Sequence, residues 1–449
     1  MSHDYHLPPH SLEAEQGVLG GLMLDNQTWD LIADTLTCAD FYRSEHRLIF
    51  DAISTLANRQ EPFDVITISE ALAGTPQAAR LDYLVELAKN TPSVANIEAY
   101  ARVVADRSHL RRLIALGHEE IRSASRPNAC ALDIHEQSDQ ALFALGQHNG
   151  SAEFNRIGDL LGQVIDQIDN NFNSGETLTG LSSGLPELDE MTAGFQPADL
   201  IILAGRPSMG KTALAMNWVI PALHAKPGHS VQIYSLEMPA DKLIYRLLAG
   251  IGHIDLGQLL KGRLEDEDWS RLSAAVAQLQ QVADRLMIDD SASLSPTTLR
   301  ARARRAARRF GPPALILVDY LQLMHCPAME NRTLEIGEIS RALKALAKEH
   351  NCPVIALSQL NRELERRPNK RPVNADLRES GAIEQDADVI MFIYRDEVYH
   401  PQTELAGIAE LIIGKHRNGP TGTARTAYIA SQTRFAPLAP GHLATGVRP

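Results

Sequence analysis

Residues 205–212 read Gly-Arg-Pro-Ser-Met-Gly-Lys-Thr, which matches the pattern Gly-x-x-x-x-Gly-Lys-Ser/Thr. An apolar run at 200–204 precedes this stretch, and a run with helical spacing, from Ala213 to Trp218, follows it. The glycines let the backbone curl, so that successive N–H groups and the start of the helix face a phosphate group. The stretch therefore predicts a nucleotide phosphate loop between a buried strand and a helix.

Further short apolar runs occur around this loop, and each has the length of a buried strand. Helical spacing fills several of the intervals between them. Strands that alternate with helices predict an α/β domain with a largely parallel sheet, which we place at residues 178–435. The runs lie at 200–204, 231–236, 314–318, 354–357, 389–394 and 411–413.

The first 150 residues have a different pattern, with helical spacing and no long strand alternation. They predict a compact all-helical domain at residues 1–150, and docking or assembly is its simplest role because it contains no catalytic cluster. An amphipathic helix follows, with apolar residues at three- and four-residue steps from 157 to 168. This helix packs either on its own domain or on a neighbouring subunit.

Two segments outside the domains have the composition of connecting or disordered chain. Residues 170–176 are polar and turn-prone, so residues 151–177 are interpreted as a linker helix followed by a linker. Residues 436–449 are rich in alanine, proline and glycine, which predicts a disordered tail.

Composition limits the class of protein. Of the 449 residues, 44% are hydrophobic and 22% are charged, as in ordinary folded proteins. No run approaches the roughly 18 apolar residues of a membrane-spanning helix, and the N-terminus does not resemble a secretion signal. Four scattered cysteines predict neither a disulfide scaffold nor a zinc site and favour a reducing cytoplasm. The net charge of −13 argues against a protein that coats nucleic acid with its whole surface, but a local basic groove remains possible.

Polar residues at the ends of the predicted strands supply partners for the phosphate loop. Lys211 would reach the β- and γ-phosphates of ATP, and the Thr212 hydroxyl would bind Mg²⁺. Asp319 ends a strand and is the type of carboxylate that holds Mg²⁺ beside such a loop. Glu237 offers a catalytic base, and Gln359 offers an amide that can sense the γ-phosphate. Ligands bind beyond the carboxyl ends of parallel strands, so we expect these groups to converge, although polar residues also end many strands without such a role.

Two basic clusters have different interpretations. The stretch from Arg362 to Arg378 is rich in arginine, proline and asparagine, and it predicts a loop that contacts a nucleic-acid backbone, with a solvated loop as the alternative. The stretch from Arg300 to Arg309 has helical spacing, and a charged outer helix face is its favoured interpretation. Neither stretch has interleaved aromatic residues, so backbone contact independent of sequence is expected rather than base stacking.

Seven segments of the chain together resemble the DnaB family of replicative DNA helicases. The likeness covers about residues 8–435, and the motifs occur in the family's order. The segments are Pro8–Gln16, Arg206–Thr212, Ser235–Pro239, Val318–Met324, Leu357–Arg362, Asp376–Gly381 and Gly414–Pro420. The chain departs from the family pattern at His416, where glutamine is expected in many relatives, and in its tail, which lacks an acidic end.

The resemblance implies a RecA-like ATPase domain, a separate all-α N-terminal domain and a homohexameric ring in which the linker helix docks on the adjacent subunit. It implies ATP-driven 5′→3′ movement on single-stranded DNA and unwinding of forked duplex in the cytoplasm, with primase and a helicase loader as partners and no membrane association. The alternatives are a strand-pairing ATPase with the same core and a docking protein that only senses nucleotide. The helical domain with its 157–168 helix disfavours the first, and Glu237 disfavours the second.

The resemblance also implies roles for individual residues. Five are expected to be catalytic: Lys211, Glu237 as the base, Gln359 as the γ-phosphate sensor, and the finger pair Lys415 and Arg417, which would enter the neighbouring subunit's ATP site. The expected nucleotide-binding residues are Gly205, Arg206, Pro207, Ser208, Met209, Gly210, Lys211, Thr212, Ala213 and Arg246. Thr212 and Asp319 are the expected Mg²⁺ ligands. The expected DNA-binding residues, facing the central channel, are Arg378, Glu379 and Gly381.

Overall fold

The computed structural model describes residues 7–73, 81–91, 93–131, 157–174, 178–326, 331–377 and 381–438, together with residues 134, 137, 138, 141, 142 and 145. The chain divides into two compact units, residues 1–156 and 157–449. Arg378, Glu379 and most of the predicted tail lie outside the described residues. Within the described ranges, no helix combines the length and the apolar character that crossing a bilayer requires.

The first unit is built from helices around one apolar core. Ser11 begins the first of them, because its side chain accepts a hydrogen bond from the N–H of Ala14. Every long helix contributes to the core, and the fully buried side chains include Val18, Ile53, Ile68 and Leu84. The prediction of an all-helical N-terminal domain is confirmed. The helices are α1 (Leu12–Leu24), α2 (Ser44–Asn58), α3 (Val65–Ala71), α4 (Leu81–Asn90) and α5 (Ile97–Ala124).

The second unit begins with an amphipathic helix, α6 (Ile157–Ser174). Its apolar stripe is exposed at Ile157, Leu161, Ile165 and Ile168. The helix includes residues 170–174, so the interpretation of these residues as a turn-prone segment is wrong, whereas the assignment of residues 151–177 to a linker helix and linker stays a prediction. Phe172 follows Ile168 at a four-residue step, so the apolar spacing of the helix continues into the asparagine-rich segment. The packing of this stripe, either on its own domain or on a neighbouring subunit, stays a prediction.

A nine-stranded sheet forms the centre of the second unit, in the order β3-β2-β4-β5-β1-β6-β7-β8-β9. The strands from β3 to β6 in this order are parallel, and β7, β8 and β9 follow, each antiparallel to the strand before it. All six predicted strands are present, whereas β3, β8 and β9 were not predicted. The strands are β1 (Leu200–Gly205), β2 (Ser230–Ser235), β3 (Leu286–Asp289), β4 (Pro313–Asp319), β5 (Val354–Gln359), β6 (Val389–Tyr394), β7 (Ile408–His416), β8 (Gly422–Ile429) and β9 (Arg434–Ala436).

Helices cover both faces of this sheet, and successive residues of β1 belong to opposite faces. Ile201 and Leu203 lie in one apolar cluster, and Leu200 and Ile202 lie in another. The first cluster includes residues of α8, α9 and α10, and the second includes residues of α13, α14 and α15. The helices are α7 (Pro186–Thr192), α8 (Lys211–Asn217), α9 (Val219–Ala225), α10 (Ala240–Gly252), α11 (Leu256–Lys261), α12 (Asp266–Val282), α13 (Pro296–Phe310), α14 (Arg332–His350) and α15 (Gly381–Asp386).

The arginine cluster at 300–309 lies on α13. Arg302 forms an ion pair with Asp289 at 2.6 Å, and Arg300 and Arg304 both pair with Glu349. The remaining arginines, Arg305, Arg308 and Arg309, are all exposed. These contacts support the interpretation of a charged outer helix face.

Candidate active site

The loop between β1 and α8 has the backbone of a phosphate cradle. Ser208 has a φ of +68° and Gly210 has a φ of +101°, so the backbone of the loop is left-handed at two positions. A Cβ atom added at Gly205 would lie 2.7 Å from Cγ2 of Ile393, so a larger residue could not pack there against β6. Helix α8 begins at Lys211, and the N–H groups of its first turn lack helical partners. These groups can bind an anion at the start of the helix.

The Lys211 side chain lies over the loop to which it belongs. Its Nζ donates to the carbonyl oxygens of Gly205 at 2.9 Å and Arg206 at 3.4 Å. Burial lowers the pKa of Lys211, and the negative charges of Asp319 and Glu237 oppose this change. The ammonium group therefore has carbonyl partners that the oxygens of a bound triphosphate could replace.

Asp319 and Thr212 form a hard-oxygen pair beside this lysine. Thr212 Oγ1 donates to Asp319 Oδ2 at 2.9 Å. Burial raises the pKa of Asp319 to about 6, the charge of Glu237 adds to this effect, and the Thr212 hydrogen bond opposes it. A hydroxyl and a carboxylate fit Mg²⁺, which binds through one or two carboxylates together with substrate phosphates. Among the described residues no group of three His, Cys, Asp or Glu side chains could hold a metal. Mg²⁺ usually takes its remaining ligands from substrate phosphates and water.

A tight turn fixes Glu237 just beyond β2. Ser235 Oγ donates to the carbonyl oxygen of Met238 at 2.6 Å and accepts from the Met238 N–H at 3.2 Å. The N–H of Leu236 donates to the carbonyl oxygen of Asp319 at 2.6 Å, which joins the ends of β2 and β4. Glu237 is exposed, and its charge acts on both Asp319 and Lys211. It can therefore contact a solvent water next to the phosphate loop.

Gln359 ends β5, and a second glutamine holds its main chain. Gln322 Oε1 accepts the Gln359 N–H at 3.2 Å, and Gln322 Nε2 donates to the Gln359 carbonyl oxygen at 3.2 Å. Gln322 Nε2 also donates to Ser358 Oγ at 2.8 Å. Residues 320, 322 and 359–362 line a cavity of about 610 Å³ together with Arg206. The role of Gln322 was not predicted, because the contact joins two strand ends 37 residues apart.

Two arginines next to the loop have contacts that the sequence did not indicate. The guanidinium of Arg206, predicted to bind nucleotide, donates to the Leu360 carbonyl oxygen at 2.8 Å and pairs with Glu365 at 2.7 Å. Because these contacts occupy the Arg206 side chain, we expect its main chain, rather than its guanidinium, to contact the nucleotide. Arg395 was not predicted, although it follows a buried strand as a basic residue. It donates to the Ser208 carbonyl oxygen at 3.0 Å and lies over the ring of Tyr428.

Arg246 lies on α10 and lines a small cavity against α8. The cavity has a volume of about 100 Å³, and Ala213, Met216 and Asn217 form part of its wall. The charge of Arg246 also lowers the pKa of Asp319, although burial is the larger influence. This position, one helix away from the phosphate loop, supports a contact with the nucleotide.

The predicted finger residues, Lys415 and Arg417, lie where the parallel strands begin, at the end of the strands opposite the phosphate loop. Lys415 Nζ donates to the carbonyl oxygens of Ala387, at 2.7 Å, and of Glu384. Arg417 pairs with the buried Asp388 at 3.2 Å, and Asp388 is hydrogen-bonded to Leu200, the first residue of β1. The phosphate loop starts five residues further along β1, or roughly 16 Å away at about 3.3 Å per residue. The structure therefore does not bring the finger residues to the phosphate loop of their own subunit.

The predicted DNA-binding residues are described only in part. Gly381 is exposed and is the first residue of α15. In the basic stretch before it, Arg367 pairs with Asp376 at 2.7 Å and Arg371 pairs with Glu410 at 2.6 Å. These two arginines hold the stretch together, and the exposed Arg362 and Arg366 are available to a nucleic-acid backbone.

Comparison with known proteins identifies the family. The model of the DnaB-like helicase N-terminal domain matches residues 7–106, and the model of the DnaB-like helicase C-terminal domain matches residues 180–437. The chain belongs to the DnaB-like helicase family. It is a replicative DNA helicase, and the role of this family is ATP-driven unwinding of DNA at the replication fork by a hexamer.

Individual relatives extend this likeness over nearly the whole helicase. The replicative DNA helicase DnaB of Haemophilus influenzae is 46% identical over 445 residues, which cover 96% of this chain and 94% of the relative. That of Geobacillus stearothermophilus is 42% identical over 438 residues, with 96% and 95% covered. A solved DnaB-like replicative helicase, described with its interactions with primase, has a TM-score of 0.76 at 31% identity and covers 96% of this chain and 100% of its own.

Proposed function

We propose that this helicase binds MgATP in the phosphate loop and that each ATP site lies between two subunits of a ring that moves 5′→3′ on single-stranded DNA. One observation carries this proposal: Lys211, Asp319 and Glu237 converge at the carboxyl edge of the sheet, whereas Lys415 and Arg417 lie at the opposite edge. Head-to-tail contacts in a ring place opposite surfaces of neighbouring subunits against each other. Such a ring would bring the finger residues of one subunit to the phosphate loop of the next.

The proposed chemistry assigns one task to each group. The loop N–H groups and Lys211 bind the β- and γ-phosphates, and Thr212 and Asp319 hold Mg²⁺, which neutralises phosphate charge when bound. Glu237 accepts a proton from the water whose oxygen bonds to the γ-phosphorus, the bond from that phosphorus to the β–γ bridging oxygen breaks, and ADP leaves. The Gln359 amide contacts the γ-phosphate during this step. Arg417 from the neighbour stabilises charge that develops on the transferred group.

DNA contact is proposed for the loop of Arg378, Glu379 and Gly381. This proposal is supported by the exposure of Gly381 and by the exposed Arg362 and Arg366 in the preceding stretch, which give the region basic groups that face the solvent. Contacts of this type bind phosphates and carry no sequence information. The ring would therefore move along any sequence of bases.

The proposed partners follow from the family. We propose that the N-terminal unit binds primase, in line with the solved relative described with primase. A separate loader protein is proposed because a closed ring cannot thread onto DNA that has no free end. The proposed place of action is the replication fork in the bacterial cytoplasm, because the relatives are replicative DNA helicases of bacteria.

The test measures ATP turnover with and without single-stranded DNA, and strand displacement on forks with either a 5′ or a 3′ loading strand. We expect DNA-stimulated turnover and displacement of the strand that lies ahead of a 5′ loading tail. Lys211→Ala is the control for contaminating activity and should abolish both signals. Displacement that requires only a 3′ tail would contradict the proposed polarity.

A further inference from the structure

The chain leaves β5 after Gln359 and returns to the same place at Leu377. Leu360 and Leu377 form an antiparallel bridge, and the Asn361 N–H donates to the Asp376 carbonyl oxygen at 2.9 Å. The two ends of the 360–377 loop therefore lie side by side. One end directly follows the proposed γ-phosphate sensor, and the other directly precedes the proposed DNA-binding residues.

Hydrogen bonds within the 360–377 loop fix its shape. Asp376 Oδ2 accepts the Val373 N–H at 2.8 Å and the Arg367 guanidinium at 2.7 Å. Arg371 binds both carboxylate oxygens of Glu410 on β7, at 2.6 Å and 3.1 Å. Because the bridge joins Leu360 directly to Leu377, a displacement of the chain at Leu377 would act on Leu360 and on the segment that leads from it to Glu365.

The phosphate loop is attached to the 360–377 loop at two points. At the bridge, Arg206 donates to the Leu360 carbonyl oxygen at 2.8 Å, and the Leu360 N–H lies 3.4 Å from the Gly205 carbonyl oxygen. Further along, the Nε and one terminal nitrogen of Arg206 contact Glu365 Oε1 at 2.8 Å and 2.7 Å. Arg206 is only 8% exposed, so this charge-assisted contact is partly shielded from water.

We propose that the ion pair between Arg206 and Glu365 couples DNA binding to the ATP site, with Glu365 as a positioning residue. When DNA displaces the chain after Leu377, the 360–377 loop carries Glu365 with it, and Arg206 carries the phosphate loop. The inference rests on the proposed function, because DNA must bind the residues that follow Leu377. A purely structural ion pair would support ATP binding equally with and without DNA.

The test compares Glu365→Gln with the parent and with Glu363→Gln, an exposed control two residues away. The glutamine keeps the size of residue 365 and removes its charge. The measurements are kcat and KM for ATP, with and without an oligo-dT strand, and the Kd of a non-hydrolysable ATP analogue in both conditions. We expect the turnover of Glu365→Gln without DNA to stay within about twofold of the parent, because the carboxylate is half-exposed.

The coupling itself should be lost in this variant. Couplings between two sites usually change affinity by about 5- to 150-fold, so we expect the stimulation by DNA to fall by about fivefold or more. DNA should change the Kd of the analogue less in this variant than in the parent. The analogue should change the Kd for DNA less by the same factor, because linkage between two binding sites is reciprocal. Glu365→Asp keeps the charge and should restore part of the stimulation.

Two results would overturn this inference while the proposed function stands. One is stimulation by DNA in Glu365→Gln that equals that of the parent and of Glu363→Gln. The other is an equal loss of turnover with and without DNA, which would show a structural role only. A parent ring with no stimulation by DNA would instead overturn the proposed function, and the inference with it.

Discussion

Replacing Arg417 with alanine tests whether each ATP site is shared between two subunits. In the described subunit, Arg417 is half-exposed and pairs with Asp388, at the sheet edge opposite the phosphate loop. Asp388 keeps two partners in the variant, the Lys344 ammonium and the Leu200 N–H. We therefore expect the Arg417→Ala subunit to fold and to assemble.

The expected size of the effect separates the two possible roles of Arg417. A half-exposed ion pair contributes about 0–1 kcal/mol to stability and nothing direct to turnover. An arginine that stabilises the transferred phosphoryl group typically contributes about 10³–10⁵ in turnover, or roughly 4–7 kcal/mol of barrier. Arg425→Ala is the matched control: it lies on β8, and its partner Glu410 keeps Arg371. We expect Arg425→Ala to change turnover little and Arg417→Ala to nearly abolish it.

Mixed rings then show which subunit the arginine serves. Arg417→Ala and Lys211→Ala subunits are combined in equal amounts, dissociated and reassembled, and ATP turnover is measured. In a shared site, about one interface in four would join an intact Lys211 to an intact Arg417, so turnover should return to about a quarter of the parent value. If Arg417 served its own subunit, every site would keep one defect. Turnover that stays at the level of the separate variants, in rings shown to be mixed, would refute the shared site.

Three further predictions concern the base, the DNA contact and the buried charge near β1. Glu237→Gln should keep nucleotide binding and suppress hydrolysis, because an amide cannot accept a proton from water; hydrolysis near the parent rate would exclude Glu237 as the base. Arg378→Ala should weaken single-strand binding equally for all sequences and reduce the salt dependence by roughly one counterion per site, whereas a sequence-selective loss in filter binding would exclude backbone contact. Burial, and after it the charge of Asp388, raises the pKa of Asp199 to about 6. The folded state therefore keeps the Asp199 proton to a higher pH than the unfolded state, and it loses stability as the pH rises from about 4 through 6. Asp199→Asn should therefore raise the free energy of unfolding at pH 8 by at most ~3 kcal/mol, and with it the thermal unfolding midpoint. At pH 4 the midpoint should change little. An equal change at both pH values would refute burial of the Asp199 charge as the cause.

The phosphate loop and the six buried strands could be predicted because their signals are local. A continuous apolar run such as 200–204 indicates a strand buried on both faces, and the loop pattern follows it directly. The strands that were missed lack such runs: β3 is only half-buried along its length, and only two of the eight residues of β8 are buried. Residues 170–174 were assigned to a linker on polarity alone, although the helical step to Phe172 continues.

The contacts that arrange the site could not be predicted from local patterns. Arg206 meets Glu365 across 159 residues, and Arg395 meets Ser208 across 187 residues. The position of Lys415 and Arg417 depends on β7 pairing antiparallel with β6, which places the end of β7 beside the start of β6. The sequence indicates the chemical groups, whereas the order and direction of the strands decide which groups share an edge.

Helix α15 gives the proposed DNA-binding residues a second attachment, independent of Arg206. Its first residue is Gly381, and the carbonyl oxygens at its other end accept hydrogen bonds from the finger pair: Glu384 from Lys415, and Gln385 from both Lys415 and Arg417. The 360–377 loop thus joins the proposed DNA-binding residues to the phosphate loop of the same subunit, and α15 joins them to the finger pair. Because one attachment precedes residues 378–380 along the chain and the other follows them, removing one should leave the other in place. A subunit with Glu365→Gln should accordingly lose the response of its own ATP site to DNA while its Arg417 continues to support the site of its neighbour.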